Sequence, residues 1–245
     1  MRNAPALARV PPPPDTLDAT LEAAIFARAT AIDDAAAYPA DDIAALAAAG
    51  LLAAVLPVAA EGAGLGLTVE TITVLRTLLT AVGRASLTVG RLFEGHVNAV
   101  KLVDRYGDAI GVLAAEAVAG RPSGVWNAER GDGLRAQRVE GGWRLDGTKV
   151  HCSGAGSIRR PLVTARDGDD VRLFLPDMTA AGVGIDLSVW RAAGMRGTAT
   201  GAVVFDQVFV PDDETVGDAG VTTARRSSRA GRGGCSRFSL AGSNR

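Results

Sequence analysis

The residues of this chain best suited to chemistry crowd into one run, Leu-Asp-Gly-Thr-Lys-Val-His-Cys-Ser-Gly-Ala-Gly, from Leu145 to Gly156. His151 beside Cys152 suggests a thiolate–imidazolium nucleophile, but the run has the pattern of a strand, and neighbours on a strand point to opposite faces. Glu129 is a candidate base, and a structural carboxylate at a strand end fits it better. Glu94 and His96 fall in one helical stretch but, two residues apart, share no face. A solvated or interdomain role suits them. Gly62 to Gly66, Gly-Ala-Gly-Leu-Gly, is like a dinucleotide loop in composition only, because no strand–turn–helix unit with a downstream acid surrounds it. The chain contains no Walker sequence, His-Glu-x-x-His pair or Gly-x-Ser-x-Gly elbow and only two histidines, which removes most support for hydrolases and metalloenzymes.

The elements that must position these residues fall into two blocks. Leu17, Leu21, Ile25 and Phe26 recur at helical spacing. Pro39, Asp41 and Asp42 suit a helix start and Gly50 its stop. The stretch Leu56–Leu67 is a glycine-broken loop, and helices are predicted at Val69–Val82, Ser86–Arg105 and Asp108–Ala119. After Pro122 the period becomes two. Strands are predicted at Leu134–Val139, Trp143–Leu145, Leu162–Ala165, Val171–Leu175 and Ala202–Val210, with Glu-Gly-Gly and Arg-Asp-Gly-Asp-Asp turns pairing them as hairpins. Helices first and strands second is the α+β order, here an α-helical domain over 15–121 and an antiparallel β-barrel or sandwich over 122–217. Trp143 and Trp190 are assigned to the barrel core.

Residues 1–14 form a proline-rich leader, with Pro11–Pro14 favouring an extended arm. The segment 218–245 is a basic tail. Beyond Asp218 it has no acid, and Arg225, Arg226, Arg229, Arg232, Arg237 and Arg245 carry its charge; without these six arginines the chain has 20 basic against 27 acidic residues. An acidic body argues against nucleic-acid binding through the folded surface. Cys152 and Cys235, without Cys-x-x-Cys spacing, support neither a zinc site nor a disulfide framework. No run approaches the roughly 20 apolar residues that span a bilayer, and the leader is not a secretory signal, so a cytoplasmic location is expected.

Several motifs then line up in order. Pro57 to Leu67, Pro-Val-Ala-Ala-Glu-Gly-Ala-Gly-Leu-Gly-Leu, is followed by Arg105–Gly120, by Asp-Gly-Thr-Lys at Asp146–Lys149, by Gly-Met-Arg-Gly-Thr at Gly194–Thr198, and by Phe-Asp-Gln-Val-Phe-Val-Pro at Phe205–Pro211. Together, over about Asp15 to Val216, the chain resembles the N-terminal and middle domains of the acyl-CoA dehydrogenase family.

That resemblance implies a bound flavin adenine dinucleotide (FAD). Val125–Glu129 falls where the family has an aromatic-x-x-Thr/Ser-Glu strand whose backbone meets the flavin pyrimidine, implicating Trp126, Asn127, Ala128 and Glu129. His151, Cys152 and Ser153 fall where it has Trp/Phe-Ile-Thr/Ser beside the isoalloxazine. A flavin needs backbone donors at its carbonyls, an apolar flank and a hydroxyl near N5, and Ser153 can supply the hydroxyl. Departures are Ala128 for Thr or Ser, His151 for a larger aromatic, and Arg-Gly-Asp-Gly, Arg130–Gly133, for a longer loop that helps hold the pyrophosphate and thioester. Two roles fit Arg196, anchoring its own turn or approaching an acyl-CoA group.

The activity implied is α,β-desaturation of an acyl thioester. The catalytic glutamate of the family lies on a later helical bundle and has no match here, and the basic tail has the composition of a frameshift product. The expectation is therefore a truncated, inactive relative of an enzyme that is oligomeric when complete, with its electron acceptor open. A flavin monooxygenase of the same fold and a noncatalytic interaction module are the alternatives.

Overall fold

The computed structural model describes residues 15–217, so the leader and the basic tail lie outside the described residues. Helix α1 (Ala19–Ala35) begins where the Asp18 carboxylate accepts the N–H groups of Thr20 at 2.9 Å and Leu21 at 3.0 Å, satisfying donors that the first turn leaves open. Helix α2 (Ala40–Ala48) carries Asp41 and Asp42 in its first turn. Asp42 is buried, and Arg28 on α1 donates to it from Nε at 2.7 Å. Gly50 takes a left-handed φ of 75° and starts the short α3 (Leu51–Ala54).

The glycine-broken stretch is an interhelix loop, as its sequence predicts. Thr71 Oγ1 donates to the Gly64 carbonyl at 2.9 Å and accepts from the Gly66 N–H at 3.0 Å, pinning the loop to the start of α4 (Val69–Ala85). Ser86 ends α4 and caps α5 (Leu87–Tyr106). The two helices meet closely at glycines: a Cβ on Gly90 would sit 2.8 Å from the Gly83 Cα. Helix α6 (Ile110–Val118) completes the helical part.

Eight strands follow: β1 (Val125–Trp126), β2 (Glu129–Val139), β3 (Gly142–Cys152), β4 (Leu162–Asp167), β5 (Asp170–Phe174), β6 (Val183–Asp186), β7 (Gly201–Pro211) and β8 (Thr215–Val216). They make one curled sheet in the order β6-β7-β3-β2-β4-β5-β8, with β1 alongside β4. The β2–β3 and β4–β5 hairpins form on the turns that the sequence marks. The sheet is mixed, not wholly antiparallel. After β3 the chain crosses through residues 153–161 before entering β4, which therefore runs parallel to β1 and meets β2 in parallel at Arg135↔Arg166. β6 and β8 are its edges among the described strands.

Helices and sheet share one boundary. Leu162, Leu173, Leu175 and Val216 bury themselves in the helical core, whereas Trp126, Trp143, Leu145, Phe174 and Phe205 fill the sheet core. His96 on α5 staples that boundary. Its Nδ1 accepts the Ser123 N–H at 3.0 Å, which assigns the proton to Nε2, and Nε2 donates to the Leu52 carbonyl at 2.9 Å. Burial in this apolar setting lowers its pKa to about 4, with the bond to Leu52 opposing. His96 is thus a buried brace, not a solvated residue. Glu94 points elsewhere, to Arg91 and Asn98. No helix among the described residues is long and apolar enough to cross a membrane.

Candidate functional site

Two chain segments meet at the end of the sheet facing the helices. Ala128 O accepts the Val150 N–H at 3.0 Å, and Trp126 Nε1 donates to the Ser153 carbonyl at 3.1 Å. The seven residues singled out from sequence, Trp126–Glu129 and His151–Ser153, therefore lie together. Their side chains divide sharply. Trp126 and Cys152 are buried in the sheet core, Asn127, Ala128 and His151 are exposed, and Glu129 and Ser153 are half-buried. His151 adopts a left-handed φ of 55° where the β3–β7 register shifts between Lys149 and Cys152, and it and Cys152 differ completely in exposure. Burial pushes the Cys152 thiol up to about 12, against the pull of the Lys149 charge, so no thiolate is available for nucleophilic chemistry.

The Gly194–Thr200 motif closes the other side. Gly154 N–H donates to Thr198 O at 2.8 Å, Ala155 N–H to Ala199 O at 3.2 Å, and the Thr200 hydroxyl lies 3.3 Å from that of Ser153. Behind it Thr200 and Thr198 hydroxyls are 2.7 Å apart, and Thr198 donates to the Met195 carbonyl at 2.7 Å. Arg196 anchors this turn to the end of α1, through Asp33 at 3.1 Å and Asp34 at 3.3 Å. Trp190 is not core: it lies half-buried on the β6–β7 connection, donates from Nε1 to Met195 O at 2.8 Å, and stands edge-on to His151 with ring centroids 6.2 Å apart. The period-two pattern is broken in that connection, so only its tryptophan content suggested a core role.

Beneath the exposed face lies a polar cluster whose role the motifs did not give. Lys149 is fully buried, and its ammonium donates to Glu129 Oε1 at 2.6 Å, Thr164 Oγ1 at 2.8 Å and Asn127 O at 3.4 Å. The Thr164 hydroxyl in turn donates to Asn127 Oδ1 at 2.8 Å. Burial alone would raise the Glu129 pKa, but the Lys149 hydrogen bond and charge, with Arg166 behind them, bring it below the usual carboxylate range. Desolvation lowers the Lys149 pKa, and Glu129 pulls it back. One signal for Lys149 was present in the sequence. In a chain whose cations are otherwise arginine, only Lys101 and Lys149 are lysine, and a buried slot that admits an ammonium and no guanidinium is one reason for such an exception.

The face can be tested against the needs of an isoalloxazine ring. The N–H groups of Asn127 and Ala128 have no acceptor among the described residues, and both residues are exposed. In the adjoining segment Ser153 is tied to Trp126 through its carbonyl, and His151 stands edge-to-face with Trp190. Free backbone donors, one hydroxyl and an aromatic border fit such a ring. Groups of His, Cys, Asp and Glu suited to a metal ion are absent among the described residues.

Comparison with known proteins bears on the fold. No family model matches the sequence. Isovaleryl-CoA dehydrogenase of Solanum tuberosum mitochondria is 32% identical over 92 residues, which are 35% of this chain and 22% of that protein. TdsC from Paenibacillus sp. A11-2, solved with FMN and indole, superposes with a TM-score of 0.74 at 24% identity, covering 84% of this chain and 53% of TdsC. The methanesulfinate monooxygenase MsuC of Pseudomonas fluorescens does so with a TM-score of 0.66 at 21% identity, over 80% of this chain and 51% of MsuC. The fold is the acyl-CoA dehydrogenase-like one, and the resemblance to that family read from the motifs holds. The chain spans about half the length of these solved structures.

Proposed function

We propose that this chain is the flavin-binding portion of an oxidoreductase of acyl-CoA dehydrogenase-like fold. The observation that carries the reading is the pair of N–H groups at Asn127 and Ala128, on exposed residues and without an acceptor among the described residues, in the segment that Trp126 ties to Ser153. In this reading the two N–H groups hold the electron-rich pyrimidine carbonyls, Ser153 meets the central ring, and His151 with Trp190 borders it. The chemistry supplied by a bound flavin is hydride acceptance, or oxygen activation once reduced. FAD is the form the resemblance implies. The irregular part of β2 at Arg130–Gly133, where its register with β3 shifts, stands in place of the longer loop that helps hold the pyrophosphate in the family the chain resembles, and TdsC is solved with FMN, which makes FMN the form to compare against it.

Acyl-thioester desaturation requires a base at the α carbon, and the half-buried Glu129 is held by Lys149 below its ordinary pKa. Glu129 is thus not that base, and monooxygenation, the reaction named for MsuC, needs no thioester base and is the second reading. The substrate, the electron donor or acceptor and an oligomeric assembly, as in the complete family, belong to the same proposal. Titration of the purified chain with FAD and FMN, followed by absorbance near the flavin bands, tests the binding. Failure of both to bind would remove the reading. Flavin bleaching by acyl-CoA under anaerobic conditions, against oxygen consumption and hydroxylation with reduced flavin, separates the two reactions.

A further inference from the structure

Lys149 spends an unusual amount of structure on one short segment. All its donors are committed in a buried setting, and every acceptor faces the Asn127–Glu129 segment or, through Thr164, the Asn127 side chain. Burying an ammonium costs several kcal/mol unless it is paired and fully hydrogen-bonded. Here the pairing is with Glu129, whose carboxylate is itself drawn inward. The consequence for the exposed face is stereochemical. In a trans peptide the C=O and the following N–H point in opposite directions, and no cis bond occurs among the described residues. Since Asn127 O turns inward to the ammonium, the Ala128 N–H must turn outward.

We propose that Lys149 is a positioning residue: its buried ammonium fixes the Asn127–Ala128 peptide plane and so aims the Ala128 N–H at the ligand face. Thr164 holds the same residue from its side chain, so Asn127 is gripped at two points. The effect on a ligand rests on the flavin reading above, while the effect on the peptide does not.

Lys149→Met alone leaves the Glu129 carboxylate without its cation, so the informative variant is Lys149→Met with Glu129→Gln, which removes both charges. Two quantities are read. Hydrogen exchange of the free chain reports Val150, whose N–H is held by Ala128 O; it should quicken in the double variant. Flavin titration should show affinity falling about tenfold or more, the scale of a lost charge-assisted hydrogen bond. Val210→Ala, in the sheet core on β7, is the control for general loosening and should leave affinity unchanged. Unchanged Val150 exchange in the double variant overturns the bracing, whatever flavin does. Quickened exchange with unchanged flavin affinity overturns the aiming of the N–H. A wild-type chain that takes up no flavin overturns the flavin reading instead, and the exchange result then decides the bracing alone.

Discussion

Asp33 accepts the Arg196 backbone N–H at 2.7 Å with one carboxylate oxygen and the Gly194 N–H at 2.9 Å with the other, so the end of α1 grips the turn that closes the candidate site. The Arg196 guanidinium reaches the same carboxylate at 3.1 Å. Gly197 fits beneath, where a Cβ would lie 3.0 Å from the Ala37 carbonyl oxygen and closer still to Ile32. The motif Gly-Met-Arg-Gly-Thr is therefore explained by docking: two backbone donors, one guanidinium and a residue without a side chain meet a single helix end.

Asp33→Ala should lower the melting temperature and loosen the turn. The Asp33 pKa lies below 3.8, chiefly through the Gly194 N–H, with Arg196 adding to it against desolvation. A depressed folded pKa means that the contribution is complete above the ordinary Asp pKa and is lost as pH falls through the folded value. The difference between wild type and variant should accordingly be full above about pH 4 and shrink as pH falls further, through the depressed folded value. Equal melting temperatures at pH 7 would refute the clamp.

His96 gives a pH dependence at higher pH. The unfolded imidazole takes a proton near 6.5, while the folded one stays neutral down to about 4. Between those values the unfolded state binds more protons, so stability is full above pH 6.5 and falls as pH drops, by about 3 kcal/mol across the window. Urea unfolding of the whole chain at pH 7 and pH 4.5 measures this. His96→Gln should be less stable at pH 7 and should lose most of the slope.

Gly90→Ala should cost about 1–3 kcal/mol, because the added methyl meets the Gly83 backbone and not a flexible side chain. Thermal melting would reveal it, and Gly111→Ala, on open space in α6, is the matching substitution that should not destabilise.

The helices were legible in sequence because their apolar periods and caps are local: α4, α5 and α6 fall within a few residues of the spans predicted from periodicity. The two hairpins were legible from their turns. β1 was marked only by the family resemblance at Val125–Glu129, and β6 and β8, four and two residues long and held by pairing with other strands, were not legible. The same division runs through the site. Trp126–Glu129, His151–Ser153 and the Gly194–Thr200 turn were found by motif, whereas Thr164, Trp190 and Asp33 come from elsewhere in the chain and carry no local signature of a site. Lys149 stood inside a recognised motif, but its burial and partners depend on how β3 meets β4.

Ser153→Ala should weaken flavin binding by about 1 kcal/mol, roughly fivefold in Kd, as expected for one hydrogen bond. The Thr198–Thr200 hydroxyls behind it keep their own bond at 2.7 Å, so folding should change little. Fluorescence titration with FMN and FAD measures the effect, and unchanged affinity would exclude Ser153 from the flavin contact.

The reaction itself gives the last prediction. Removing the α proton of an acyl thioester requires a carboxylate free to approach and basic enough to accept it. Glu129 is occupied by Lys149 at 2.6 Å and by Arg166 at 3.6 Å, and its pKa is lowered. Glu94 is shared between Arg91 and Asn98 on the surface of α5. A base out of place forfeits the advantage of proximity, roughly 7–11 kcal/mol of barrier. The 245-residue chain saturated with flavin should therefore show no enzymatic bleaching with short or long acyl-CoA thioesters under anaerobic conditions, and Glu129→Gln should not change that. Rapid bleaching by the wild-type chain, lost in Glu94→Gln or Glu129→Gln, would instead identify the base among these two residues and support desaturation over monooxygenation.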